Sequence, residues 1–181
     1  MPSRALLTEA QTISAAEITQ ALANIGIARA SLSAPVTRTS TTTLTNTGLT
    51  ALTVSLLPSS RYRLTYRLYA QGDNGGIKIG VTFPSSLIQF DGGSNSYSTT
   101  AGYDLLVAAD WGNQAYGSGD AIVDAGPSSP QVGGLIFTAD ITTGSTANTY
   151  GDFAVVFAQS VSSGSASTMS QNSCVEVLKF S

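Results

Sequence analysis

From residue 36 onward, apolar and polar positions alternate with a period of two. The clearest run is RYRLTYRLYA at residues 61–70. Tyr62, Leu64, Tyr66 and Leu68 fall on one side, and Arg61, Arg63, Thr65 and Arg67 on the other. That is the pattern of a half-buried antiparallel strand. GDNGG at residues 72–76 supplies side chains that tolerate positive φ and predicts a hairpin turn. Ile77, Ile79, Val81 and Phe83 then return on one face of a partner strand. Further strands are predicted over 49–57, 86–90, 95–107, 134–142, 153–161 and 173–180, with a short one at Ile122 and Val123. FAVVFA at residues 153–158 is apolar on both faces, which suits a central strand covered by a second sheet or by a neighbouring subunit. Roughly eight to ten short strands with Gly-rich turns predict an all-β fold, a β-sandwich or jelly roll.

Ahead of this domain, SAAEITQALANIG at residues 14–26 follows the helical period. Ser14 and Glu17 form a capping box, Ile13 and Ile18 have the spacing of a hydrophobic staple, and Gly26 stands where a left-handed residue ends a helix. Ile18, Leu22 and Ile25 form one apolar stripe. A helix over about 14–25 is marginal alone in water, so the stripe must pack on something. The candidates are its own domain, sister helices or a host protein. The flanks, residues 1–12 and 28–40, read as linker, and this favours an external partner. The expected organisation is an N-terminal arm over 1–35 and a β-sandwich domain over 36–181. Deleting residues 1–33 is accordingly expected to leave a folded domain.

Composition changes the picture in two respects. Charged residues are only 10% of the 181, against about 25% in ordinary soluble domains, while hydrophobic residues are 42%. A surface so poor in charge is either covered by neighbours or solubilised by hydroxyls and amides. The net charge of −3 with scattered basic residues argues against a nucleic-acid partner. No apolar run is long enough to span a membrane, and no secretory signal is visible. Histidine is absent, which removes Ser-His-Asp and Cys-His nucleophile arrangements. Cys174 is the single cysteine and reads as a small buried side chain of the last strand. The chain is expected to be non-enzymatic, without cofactor or metal.

The remaining candidates are contact residues. The stretch 108–134 is the least regular, and Trp111 and Tyr116 within it read either as a local core or as interface anchors. Asp73, Asp91, Asp104, Asp110, Asp120 and Asp124 read as turn-forming acids, with an irregular calcium loop as the alternative. Arg61, Arg63 and Arg67, with Lys78 across the hairpin, form a basic stripe. It is either a solvated face or a face that pairs with acids of a neighbour. In a chain so short of charge the second reading is favoured, for at least one of the three arginines.

LTEAQ at residues 7–11 followed by QALANIGIARA at 20–30 resembles the leader of bacteriophage tail-fibre and virion proteins. TRTSTTTL at 37–44, then LTVSLLPSSRYRLTYRLYAQGDNGGIKIGVTFPSS at 52–86, resembles a β-domain of siphovirus-type virion proteins, with Arg38, Leu44, Tyr62, Lys78, Gly80 and Pro84 at its pattern positions. The resemblance covers about the first half of the chain. It implies a structural role in the virion, assembled in the host bacterial cytoplasm, as a homotrimer in contact with the major capsid protein or with tail proteins. A short chain starting at Met, with one domain and an arm, fits a capsid cement or decoration protein. A small tail-fibre or tail-tip protein is the runner-up, and a carbohydrate-binding β-sandwich module is the alternative from another class.

Overall fold

The computed structural model describes Ser14 and residues 26–84, 89–98, 104–110, 121–125 and 131–180. The helix predicted over 14–25, with Ile18, Leu22 and Ile25, lies outside the described residues apart from an exposed Ser14. Trp111 and Tyr116 lie outside them as well.

The described residues form twelve β-strands: β1 (Ile27–Ser31), β2 (Val36–Arg38), β3 (Thr53–Ser55), β4 (Arg61–Gly72), β5 (Ile77–Thr82), β6 (Gln89–Ser98), β7 (Asp104–Asp110), β8 (Ala121–Ala125), β9 (Gln131–Thr142), β10 (Asp152–Ala158), β11 (Ser167–Met169) and β12 (Cys174–Phe180). Two antiparallel sheets result. The larger runs β1-β12-β4-β9-β6-β7, with β11 and β2 added beside the far end of β4; the smaller runs β3-β10-β5-β8. The all-β sandwich expected from the period-two pattern is the fold observed.

The core lies between the sheets, and register explains why. Tyr66 of β4 stands opposite Phe137 on one side and Val175 on the other; Leu64 stands opposite Ala139 and Val177. Directly opposed residues share a face, so one strand's alternation propagates across the sheet. The Tyr66 and Phe137 rings stack at 4.6 Å between centroids, and Phe153 of the smaller sheet closes on them at 6.0 and 6.2 Å. The buried Tyr66 hydroxyl donates to the Leu52 carbonyl at 3.1 Å, and burial pushes its pKa far above the ordinary phenol value. On β10, Phe153, Val155 and Phe157 face this core, and Ala154, Val156 and Ala158 on the opposite face are buried too. Both faces of FAVVFA are thus covered within the single chain, and this strand no longer argues for a subunit contact.

Four expectations are corrected. Residues 72–76 do not close a hairpin. Their turn passes from the larger sheet to the smaller, and β5 pairs with β10 and β8 rather than with β4. Gly76 takes φ +63°, and a side chain at Gly72 would collide with the Gly76 carbonyl. The stretch 28–40 is not only connector, because β1 pairs with β12 from Ile27 and β2 pairs with β11. The sheet therefore begins ahead of the boundary drawn at 35, and deletion through residue 33 would remove β1 together with the buried Leu32. The irregular stretch 108–134 contains the end of β7, all of β8 and the start of β9. Asp91 and Asp124 lie within strands β6 and β8, and Asp104 and Asp110 bound β7, so four of the acids read as turn-formers belong to strands.

Two polar devices tie loops to the sandwich. Arg38 extends its guanidinium over the Phe157 ring, with Nε donating to the Phe157 carbonyl at 3.2 Å, Nη1 to Thr37 at 3.2 Å, and Nη2 to Thr47 and Thr45 at 2.5 and 3.5 Å. Partial burial lowers its pKa from the usual arginine value. Gln159 is fully buried. Its Oε1 accepts from the Thr41 and Ser163 amides, each at 3.2 Å, and its Nε2 donates to the Ser165 carbonyl at 2.6 Å.

Candidate functional site

Burial along β4 alternates as the sequence predicts, placing Arg61, Arg63, Thr65, Arg67, Tyr69 and Gln71 on the outer face of the larger sheet. Asp140 is the register partner of Arg63 on β9, and the two form a bidentate pair: Nε to Oδ1 and Nη2 to Oδ2, both 2.8 Å. The side chains are 53% and 44% exposed. The hydrogen bond from Arg63 holds the Asp140 carboxyl below its ordinary pKa. Burial opposes this, and the charges of Arg63 and Arg61 add to it. The same hydrogen bond, with the Asp140 charge, raises Arg63. Arg67 reaches diagonally to Glu176 on β12, Nη2 to Oε2 at 3.8 Å.

Two of the three arginines, Arg63 and Arg67, thus meet acids of their own chain; the expectation that at least one of the three pairs with an acid of a neighbour is left to Arg61. Lys78 is not part of the stripe, since β5 belongs to the other sheet. Apolar side chains interrupt the charges. Ile136, opposite Arg67, is 41% exposed; Phe180, opposite Arg61, is 39% exposed; Tyr69 is 37% exposed.

At one end of this face lies an open groove of about 850 Å³. Its origin is a break in the strand line beside β4. β12 pairs with β4 from Arg61 to Arg67, and β11 takes over at Ala70 and Gln71. Residues 170–173 form a tight turn at the break, with Ser173 N donating to the Ser170 carbonyl at 3.0 Å. The turn is pinned to the β4 backbone: Ser170 N donates to the Tyr69 carbonyl at 2.7 Å, and Tyr69 N to Ser173 Oγ at 3.0 Å. Arg67, Tyr69 and Gln71 line the groove from β4, Arg29 from β1, and Gln171 and Asn172 from the turn. Arg29 stands opposite Glu176 in register, and its Nη2 points to the buried Cys174 thiol at 3.6 Å. Cys174 is buried in the last strand as expected.

Sequence reading reached Arg67 but missed the other groove residues. The alternation of β4 runs on through Tyr69 and Gln71 and signals their outward placement. Arg29 gives no such signal, because β1 is exposed along nearly its whole length and carries no apolar face. The arrangement offers two guanidiniums, an aromatic ring and several amides and hydroxyls. Among the described residues no three of His, Cys, Asp and Glu come together as a metal site. No protein-family model, no curated protein and no solved structure matches this chain.

Proposed function

We propose that this chain is a non-enzymatic structural protein of a bacteriophage virion, acting as a homotrimeric cement or decoration protein on the head. The leader at residues 7–30 and the TRTSTTTL stretch motivate the virion assignment. The observation that carries the contact role is the outer face of the larger sheet. Its charges close on one another as Arg63–Asp140 and Arg67–Glu176, leaving Ile136, Phe180 and Tyr69 exposed between them. Covering either pair orphans neither of its two charges, and the apolar side chains between them gain by burial. Arg38 gives the TRTSTTTL resemblance a physical sense, because that arginine latches the loop after β2 onto β10.

The runner-up, a small tail-fibre or tail-tip protein, is favoured by the groove with its exposed tyrosine. One experiment separates the two. Particles assembled with and without the protein are compared for head integrity under heat and osmotic shock, and for adsorption to the host. Fragile heads with normal adsorption support cement. Sound heads that fail to adsorb support the tail reading, and particles unchanged in both respects overturn the virion proposal.

A further inference from the structure

We infer that the groove at the strand break is a binding site for a carboxylated saccharide, a uronic-acid or sialic-acid unit of a glycan. The inference stands on the groove alone and holds wherever the protein sits in a particle.

Its lining combines three chemistries that such a ligand needs together. Arg67 and Arg29 approach from adjacent sides, and among the described residues Glu176 is the carboxylate close to both positions. The local balance is one net positive charge, which suits a monoanionic carboxylate and is poorly matched to a phosphate dianion. A guanidinium presents paired donors in the plane that a carboxylate accepts. Tyr69 offers a half-exposed ring, and an aromatic side chain gives an apolar body beside a polar tip against which the C–H face of a pyranose packs. Gln71, Gln171 and Asn172 each carry a donor and an acceptor, the pairing that vicinal sugar hydroxyls require.

The backbone that carries the ring and the Asn172 amide is held in place. The Tyr69 backbone is fixed on both its N–H and its carbonyl by the turn at 170–173, and the Asn172 amide N–H donates to Ser170 Oγ at 3.2 Å. A volume of about 850 Å³ lies within the range of small-ligand sites. Along the floor of the groove β4 is hydrogen-bonded on both sides and offers a peptide no edge to pair with.

The test is titration of the isotopically labelled full chain with trigalacturonate and with N-acetylneuraminic acid, followed by amide chemical shifts. Neutral galactotriose, the methyl ester of trigalacturonate and inorganic phosphate serve as the other arms. Saturable shifts centred on Arg67–Gln71 and on 170–172, with affinity for at least one acidic sugar, are expected. R67A, R29A and Y69A should each weaken binding about tenfold or more, the loss expected for a charge-assisted hydrogen bond or a ring contact, while R61A at the far end of β4 leaves it unchanged. Binding of the neutral sugar or the ester as tight as that of the acid would overturn the carboxylate assignment, as would phosphate binding equally well. Shifts elsewhere on the chain, or none with either acid, would overturn the site itself, and this readout on the unaltered protein does not depend on any variant folding.

Discussion

Arg38 donates from every guanidinium nitrogen to a backbone carbonyl, so its contribution is geometric as much as electrostatic. A lysine keeps the charge but cannot span Phe157 and Thr47 together. Arg38→Lys should therefore cost about 1.5–3 kcal/mol, the worth of hydrogen bonds to a charged group, read as a lower urea midpoint. The Arg63–Asp140 pair behaves differently because both partners are about half exposed. The folded-state pKa of Asp140 is depressed, so its contribution is complete above the unfolded carboxyl value and disappears as pH falls through the folded value. The raised pKa of Arg63 is the same interaction seen from its partner; it is fully present below the unfolded arginine value, so the titration of Arg63 brings no change across the neutral range. Screening by solvent limits the acid-sensitive term to about 0–1 kcal/mol. Asp140→Asn should flatten the stability-versus-pH curve by that amount between neutral pH and pH values below the depressed Asp140 value. An unchanged slope in that variant would show that the pair contributes nothing.

At the scale of elements, Gln159 ties together two loops, one at Thr41 and one at Ser163 and Ser165, and a Cβ added at Gly75 would strike its amide. Gln159→Ala takes a partner from three part-buried backbone groups; because water can reach part-buried groups, the cost should be about 2–4 kcal/mol, below the full sum of about 1–3 for each. Gly75→Ala should also destabilise, but much less in the Gln159→Ala background, where the obstructing side chain is gone. A double-mutant cycle that finds the two costs additive would show that they do not meet. The same scale explains what the sequence revealed and what it hid. The alternation of β4 was legible because one face is core and the other is not. GDNGG looks alike whether it closes a hairpin or carries the chain to another sheet, since a turn's residues specify its backbone and not its strands' partners. β1 was hidden because an exposed edge strand of sequence IARAS has no buried side to set a period. β6, with QFDGGSNSYS, interrupts its alternation with glycine and serine.

For the whole molecule, the sandwich was legible in the sequence and the groove was not. Arg29 and Arg67 come together only because β12 lies between their strands, a neighbour relation that no local pattern records. The corrected boundary gives a sharper deletion: a chain starting at Gly26 keeps β1 and should fold, while one starting at residue 34 loses the cover of β12 and should be markedly less stable. Thermal unfolding of both tests this. The proposed trimer is checked by sedimentation at micromolar concentration, where a well-behaved monomer would overturn it. The pairing of β1 with β12 also sets an order of events during synthesis. Ile27–Ser31 is made early, yet the strand it binds is the last of the twelve. Until Cys174–Phe180 has left the ribosome, β1 has no partner, and the Arg61–Arg67 segment of β4 has one edge open. The larger sheet therefore closes late, through contacts far apart in the chain, which is the slow kind of folding. A nascent or prematurely terminated chain lacking β12 opens an edge of β1 and an edge of β4 that the complete sheet closes, and such chains are the ones that quality control must remove before they join one another.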